Sequence, residues 1–154
     1  MDFRVEVLYE DDDLLACNKP AGIVTHATLD LQRENFYDFV RARFSPQAAK
    51  EVALHHRLDV QTSGVLIFSK TKCMNQPLQD LFKNHQIQKT YIAISHPGGK
   101  QFLSSNTIQE KNFLSQSSDK PSKSIAVKSG GKPATTDFKI LQRTGKYWIV
   151  EARP

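Results

Sequence analysis

Four consecutive apolar residues, Val-Leu-Ile-Phe at positions 65–68, constrain the fold more than any other segment of this chain. An apolar run of this length that follows a turn signal, here Gly64, is typical of a strand in the middle of a sheet. The run therefore predicts a central strand that is covered on both faces. The residues just before it, 56–63, must then form a loop at the edge of the core.

That loop reads His-Arg-Leu-Asp-Val-Gln-Thr-Ser, and it places the carboxylate of Asp59 close to the buried strand. A carboxylate near a core is unfavourable unless it has a partner or a function. One interpretation is that Asp59 caps the turn, as Asp commonly does. The other is that Asp59 performs chemistry. The local pattern alone favours the cap.

Two other kinds of site can be considered in the same segment. Ser63 beside His55 or His56 suggests a hydrolase, but the chain has no G-x-S-x-G elbow and no identifiable orienting acid. His55, His56 and Asp59 match no standard zinc or iron spacing. A hydrolase that uses Asp59 or Ser63 therefore stays as a weaker alternative, and no metal is expected.

The N-terminal part predicts a β-hairpin, a loop and a helix. The two strands cover residues 5–9 and 14–17 and are separated by an acidic turn, after which residues 18–22 leave the sheet as a loop. Apolar residues then recur at helical spacing over residues 36–44, and a Ser-Pro pair at 45–46 ends the pattern. We expect this amphipathic helix to pack on the sheet.

A second helix is marked by the apolar residues within 78–82, and Pro77 predicts that this helix begins nearby, because proline is tolerated in a first helical turn. Residues 88–94 then alternate as a strand. In that strand Tyr91 lies on the face opposite Ile92, which is compatible with a cleft.

The rest of the chain contains few large apolar side chains until its last strand. Residues 104–132 are rich in Ser, Lys, Gln and Gly, so they predict a long excursion or weakly ordered strands, and residues 130–133 predict a turn. Residues 147–151 form the last strand. The predicted fold class is α+β, with a mixed, mostly antiparallel sheet and flanking helices.

Length and composition predict a single soluble domain. The chain has 154 residues, of which 39% are hydrophobic and 24% are charged, and it lacks both a long apolar stretch and a signal-peptide pattern. We therefore expect a cytoplasmic protein without a membrane segment. Cys17 and Cys73 have no metal-binding spacing around them and are expected to be free thiols.

Positive charge is concentrated after residue 50. Residues 1–50 carry 6 Lys and Arg against 9 Asp and Glu, whereas residues 51–154 carry 15 against 7. A surface of this kind attracts polyanions such as RNA. A lysine-rich surface that only maintains solubility has the same composition. Charge alone does not decide between them.

Residues 56–64 resemble the HRLD-x-x-TSG signature of the RluA family of pseudouridine synthases, which isomerise uridine to pseudouridine in ribosomal or transfer RNA. Three further segments resemble family motifs in the same order. These are residues 9–15 with 18–22, residues 89–93 around the tyrosine, and residues 131–136 before the last strand. The resemblance implies one pseudouridine synthase catalytic domain over residues 1–154, acting on RNA as a monomer without cofactor or metal.

The resemblance also implies roles for individual residues. Asp59 is the essential catalytic aspartate, which attacks as a nucleophile or removes a proton from the sugar. Tyr91 lies against the uracil, which must leave its stack to be reached. Arg57 occupies the place of the extruded base. Lys19, His56 and Thr62 are the other expected RNA-binding residues.

One family motif, of the form TGR-x-H-Q-I-R, has no counterpart, because the sequence stops after Arg153 and Pro154. In the family the motif's arginine pairs with the catalytic aspartate and holds it ionised. Arg153 precedes the motif and is not expected to replace that arginine. We therefore expect a domain without its C-terminal part, with weak stability and low or no synthase activity. The alternative function is a catalytically inactive RNA-binding remnant of such an enzyme.

Overall fold

A computed structural model describes residues 4–28, 32–44, 52–97, 105–117 and 124–154. The chain divides into a first unit, Met1–Ile87, and a second unit, Gln88–Pro154. The strands in the described residues are β1 (Glu6–Glu10), β2 (Leu14–Lys19), β3 (Ala53–Leu54), β4 (Gly64–Ser69), β5 (Tyr91–Ser95), β6 (Thr107–Gln116), β7 (Ser124–Val127), β8 (Lys132–Arg143) and β9 (Trp148–Arg153), and the helices are α1 (Phe36–Phe44) and α2 (Lys72–Lys83).

The sheet of the first unit has the strand order β1-β2-β4-β3. Strands β1 and β2 pair in an antiparallel manner, so the predicted hairpin is confirmed. Strand β2 is longer than predicted, since Asn18 and Lys19 still pair with Val65 and Gly64 of β4. The loop that leaves the sheet therefore begins at Pro20.

Strand β4 is central, as predicted, but it is not covered along both faces. Leu66 and Phe68 are fully buried, and the ring of Phe36 from α1 lies 6.4 Å from that of Phe68. On the opposite face, Val65 is 51% exposed. The apolar run was therefore a correct indicator of a central strand and a wrong indicator of burial at Val65. On the same face, Ser69 at the end of β4 is fully buried, so the exposure is confined to the start of the strand.

The predicted helices are present, with one correction. Pro77 is the sixth residue of α2 and not part of its first turn, so the helix continues through a residue that cannot donate a backbone hydrogen bond. Helix α2 ends where His85 adopts a φ of 55° and the Gln86 N–H donates to the Leu81 carbonyl, as in a Schellman motif. The Ser-Pro pair expected to end α1 lies outside the described residues. Neither helix in the described part is long and apolar enough to span a membrane.

The sheet of the second unit has the strand order β5-β9-β8-β6-β7, and its pairs are antiparallel. A small core of Ile140, Trp148 and Val150 lies on one face of this sheet. Strands β6 and β7 lie in the segment for which an excursion or weakly ordered strands were predicted. Strand β6 pairs with β8 at eight positions, so backbone hydrogen bonding organises a segment that has few large apolar side chains.

The turn predicted at residues 130–133 is shifted by two residues. Gly130 adopts a φ of 76°, and a Cβ on Gly131 would lie 2.7 Å from the Leu114 carbonyl oxygen, so both positions require glycine. Lys132 and Pro133 already belong to β8. The α+β class and the antiparallel pairing are confirmed, and the strands of the described residues form two sheets. A single catalytic domain over residues 1–154 stays a prediction.

Candidate active site around Asp59

Asp59 lies in a turn that is closed by its own backbone. The Thr62 N–H donates to the Asp59 carbonyl oxygen at 3.0 Å. The Asp59 side chain is exposed, and it has no hydrogen bond or ion pair to any residue in the described part of the chain. The interpretation of Asp59 as a side-chain cap is therefore wrong for these residues. Its carboxylate faces solvent instead.

Hydrogen bonds hold the backbone on both sides of Asp59. The Thr25 hydroxyl donates to the Leu58 carbonyl oxygen at 2.6 Å and accepts from the Leu58 N–H at 3.2 Å. The Gly22 N–H donates to the Val60 carbonyl oxygen at 2.7 Å. Thr25 and Leu58 are buried, so the two bonds between them are shielded from water. The loop after β2 thus fixes the residue before Asp59 and the residue after it.

Lys19 is also part of this arrangement, and here the sequence prediction needs correction. Its side chain is fully buried, and Nζ donates to the carbonyl oxygens of Pro20 and Ile23 at 2.9 Å and of Val60 at 3.4 Å. An ammonium with three acceptors has no proton left for a phosphate. Burial lowers the pKa of Lys19, and the charge of Asp59 opposes this effect. Direct RNA binding by Lys19 is therefore not compatible with its position.

The two histidines before Asp59 have different partners. His56 accepts a hydrogen bond from the Ile67 N–H through Nε2 at 3.0 Å, and its ring stacks on Phe82 with the centroids 4.4 Å apart. His55 Nε2 lies 2.7 Å from the Ser69 hydroxyl, which donates to the Asn75 side chain. Since that hydroxyl has only one proton, His55 donates to it. Burial lowers the pKa of His55.

These contacts contradict the hydrolase alternative built on Ser63. Neither histidine bonds to the Ser63 hydroxyl, because His55 is bonded to Ser69 and His56 to the backbone of Ile67. Ser63 is exposed. A nucleophilic serine needs a base within hydrogen-bonding distance, and the described residues provide none.

The remaining predicted residues of the first unit border the same turn. Arg57 is exposed and Thr62 is half-buried. Arg57 lines an open cleft of about 500 Å³, and none of the seven residues that line the cleft is acidic. These residues are His26, Tyr37, Ala53, Leu54, His55, His56 and Arg57. The guanidinium of Arg57 in a cleft without an acidic lining residue suits an anionic ligand.

Tyr91 belongs to the second unit, where it is the first residue of β5. It is half-buried and pairs with Ala152 of β9. Directly paired residues share a face of an antiparallel sheet, so Tyr91 lies on the face that also carries Val150 and Trp148. Arg153 forms an ion pair with Glu151 at 2.9 Å.

Sequence reasoning named Asp59, Arg57, His56 and Thr62, and the structure places all four on one segment of the first unit. It missed Thr25, because a single threonine in a loop has no pattern that marks it. The Pro-Ala-Gly sequence around Gly22 did predict an irregular loop, but not the contact of that loop with Val60.

Comparison with known proteins identifies the family. Residues 13–154 match the family model described as RNA pseudouridylate synthase. The match covers most of the chain, so the chain belongs to the pseudouridine synthase family, as its motifs predicted.

Relatives with known names span more sequence than this chain. The ribosomal large subunit pseudouridine synthase C of Rickettsia bellii is 29% identical over 151 residues, which cover 96% of this chain and 48% of the relative. The protein of that name from Vibrio parahaemolyticus is 31% identical over 96% of this chain and 44% of its own length. The tRNA pseudouridine synthase C of Vibrio cholerae is 38% identical over 58% of this chain and 36% of its own length. The chain thus spans about half the length, or less, of these relatives.

Solved structures support the fold. Human RNA Pseudouridylate Synthase Domain Containing 1 superimposes with a TM-score of 0.77 at 20% identity, over 98% of this chain and 59% of that one. Human RNA Pseudouridylate Synthase Domain Containing 4 gives a TM-score of 0.73 at 23% identity, over 97% and 58%. At 20% and 23% identity, these comparisons support the fold of this chain alone.

Proposed function

We propose that this chain carries the catalytic aspartate of an RNA pseudouridine synthase, which isomerises uridine to pseudouridine in ribosomal or transfer RNA. The observation that carries the proposal is Asp59. Its carboxylate is exposed and has no hydrogen bond or ion pair in the described residues, while hydrogen bonds hold the backbone on both sides of it. A reactive group that is accessible and fixed in place is suited to catalysis.

The chemistry needs a group of this type. The glycosidic bond between C1′ and N1 must break, and a bond between C1′ and C5 must form. An ionised carboxylate either attacks the nucleoside or removes a proton from the sugar. The reaction is an isomerisation with no net change of oxidation state, so the proposal includes no cofactor and no metal.

In this proposal, residues other than Asp59 bind the RNA. Tyr91 offers an aromatic face to a uracil that has left its stack, and Arg57 fills the space that the base vacates. Thr62 and His56 border the turn and hold the nucleotide near Asp59. The open cleft beside Arg57 has no acidic lining residue, which supports contact with the RNA backbone there.

Charge also supports RNA as the partner. The second unit, Gln88–Pro154, carries 11 Lys and Arg against 4 Asp and Glu. Phosphate contacts made by such a surface weaken as salt displaces them. The proposal further includes a monomeric protein in the cytoplasm.

The test is isomerisation of RNA that carries uridine labelled with tritium at C5, with protein in excess and tritium release as the signal. In line with the low activity expected from the sequence, we expect slow tritium release by the wild-type chain and a further reduction of about 10²- to 10⁴-fold for Asp59→Asn. Asp12→Asn is the matched control, because Asp12 is another exposed carboxylate, in the turn between β1 and β2, and it should release tritium as the wild type does.

RNA binding is measured in parallel by filter retention at several salt concentrations. If the wild type and Asp59→Asn bind RNA equally and neither releases tritium, the chain is an RNA-binding remnant. Equal release by both proteins would refute the role of Asp59.

A further inference from the structure

Aromatic and basic side chains meet at one end of the second unit's sheet, where β8 turns into β9. The ring centroids of His96 and Tyr147 lie 5.5 Å apart, and the Lys146 ammonium lies 5.6 Å from the centroid of the Tyr147 ring. All three residues are exposed, and Tyr147 keeps 40% of its surface accessible. The sheet thus presents an aromatic ring to solvent beside an ammonium and an imidazole.

The turn between β8 and β9 holds Tyr147 in place. The N–H and the hydroxyl of Thr144 both donate to the Tyr147 carbonyl oxygen, at 2.8 and 2.6 Å, and the Tyr147 N–H donates to the Thr144 hydroxyl oxygen at 3.2 Å. The next residue, Trp148, is buried and begins β9. The backbone of Tyr147 is therefore fixed before any ligand arrives, which lowers the entropy lost when a ligand covers the ring.

The charge around this cluster is positive. Arg143, at the end of β8, donates to the Asn106 side chain at 2.6 Å, so its guanidinium stays at this end of the sheet. The described residues at this end include Arg143 and Lys146 but no Asp or Glu. They are residues 95–97, 105–106 and 141–148. A phosphate that approaches these residues is attracted and meets no carboxylate among them.

We propose that His96, Lys146 and Tyr147 form a contact site for single-stranded RNA, in which an unpaired base stacks on the Tyr147 ring and the Lys146 ammonium binds a neighbouring phosphate. Aromatic rings beside basic side chains suit a single strand, because every base has a face that can stack and every nucleotide carries a phosphate. The site selects an unpaired base and not a particular sequence. The inference rests on the proposed function for RNA as the partner, and it adds a contact that takes no part in the isomerisation.

The test measures binding of a fluorescein-labelled oligocytidylate to the whole chain by fluorescence anisotropy. This RNA contains no uridine, so its binding does not depend on turnover at Asp59. Tyr147→Ala removes the ring, whereas Tyr147→Phe keeps it. Tyr9→Ala is the matched control, because Tyr9 is also an exposed tyrosine, at 56%, but its hydroxyl donates to the carboxylate of Asp11.

We expect Tyr147→Ala to weaken binding by at least about fivefold, and Tyr147→Phe and Tyr9→Ala to stay within about twofold of the wild type. The loss in Tyr147→Ala should be absent for an RNA duplex, whose bases stack on each other. Lys146→Gln should reduce the slope of log affinity against log salt concentration by about 0.7. Lys139→Gln, at an exposed lysine that lies opposite Glu151 in the sheet, should leave that slope unchanged.

Binding of oligocytidylate by Tyr147→Ala as tight as that of the wild type overturns the inference. An equal loss for the single strand and the duplex also overturns it, because Tyr147 then does not act by stacking. The binding measurement does not depend on activity, so the inference and the proposed function fail separately. A wild type that releases no tritium, but whose binding of oligocytidylate depends on the Tyr147 ring, refutes the proposed function and leaves the RNA contact established.

Discussion

Replacing Thr25 by valine gives the sharpest test of how the Asp59 turn is held. Threonine and valine have nearly the same shape, so the substitution removes the hydroxyl without opening a cavity. The hydroxyl makes two hydrogen bonds to one residue, one to the Leu58 carbonyl oxygen at 2.6 Å and one from the Leu58 N–H at 3.2 Å. Both residues are buried, with Thr25 4% and Leu58 8% exposed.

The expected loss of folding free energy comes from the two backbone groups of Leu58 that are left without a hydrogen-bond partner. A buried polar group that loses its hydrogen bond costs about 1–3 kcal/mol. Two such groups at Leu58 give a sum of about 2–6 kcal/mol, and relaxation that admits water reduces it to about 2–4 kcal/mol. Thr25→Ser keeps the hydroxyl and loses one methyl group, which costs about 1 kcal/mol.

The assay is urea unfolding followed by far-UV circular dichroism, together with amide exchange at Leu58. Thr25→Val should lower the free energy of unfolding by more than Thr25→Ser does, with an unchanged dependence on urea, and it should speed exchange of the Leu58 amide. If the valine variant is as stable as the serine variant, the two bonds contribute no net stability and the reasoning about the turn is wrong.

Three further predictions concern the first unit. Leu66→Ala should destabilise the chain by about 2–5 kcal/mol because Leu66 is fully buried. Val65→Ala, at a position that is 51% exposed, should cost less than about 1 kcal/mol, and equal losses in urea unfolding would contradict this difference in burial. Gly64→Ala should cost about 1–3 kcal/mol, since Gly64 has a φ of 138° and a Cβ there would meet only Leu58 at 3.9 Å; an unchanged urea midpoint would show that this backbone conformation is not strained for alanine. Burial raises the pKa of the Cys17 thiol to about 11, so the native protein at pH 8 should react with a thiol reagent at Cys73 only, and denatured protein at both cysteines; fast native labelling of Cys17 would contradict its burial.

The same raised pKa fixes the direction of the pH effect of Cys17 on stability. Its folded-state pKa, about 11, lies above the ordinary value of 9.0 for a cysteine thiol. The unfolded chain therefore loses its thiol proton first as the pH rises. The contribution of neutral Cys17 is fully present below pH 9 and is lost as the pH rises towards 11.

Local patterns in the sequence predicted those features of the fold that depend on neighbours along the chain. The hairpin of β1 and β2, helix α1 and the central position of β4 follow from alternation, helical spacing and an apolar run. Val65 was assigned to the core wrongly, because an apolar side chain does not show how far along a strand the core extends. Strands β6 and β7 were predicted poorly, since they form by pairing with other strands and not because of their own composition. Strand β6 pairs with β8, and β7 pairs with β6.

The candidate site was predictable where its chemistry is concentrated in one motif. Asp59, Arg57, His56 and Thr62 lie within seven residues of each other, so one resemblance brings all of them together. Lys19 was assigned to the wrong role because its decisive partner, the Val60 carbonyl, is distant in the sequence and is a backbone atom. No pattern of side chains in the sequence indicates a backbone partner of this kind.

The division of roles between Asp59 and its supporting residues determines how mutations at this site should be read. Lys19 and Thr25 contact the backbone of Val60 and Leu58, and neither bonds to the Asp59 side chain. Replacing the Asp59 carboxylate by an amide therefore leaves those contacts in place, so a loss of turnover in Asp59→Asn reports on chemistry. Variants of Lys19 and Thr25 keep the Asp59 carboxylate but remove contacts to the backbone of the turn. If such a variant loses turnover and its turn amides exchange faster, the loss is due to a misplaced Asp59 side chain.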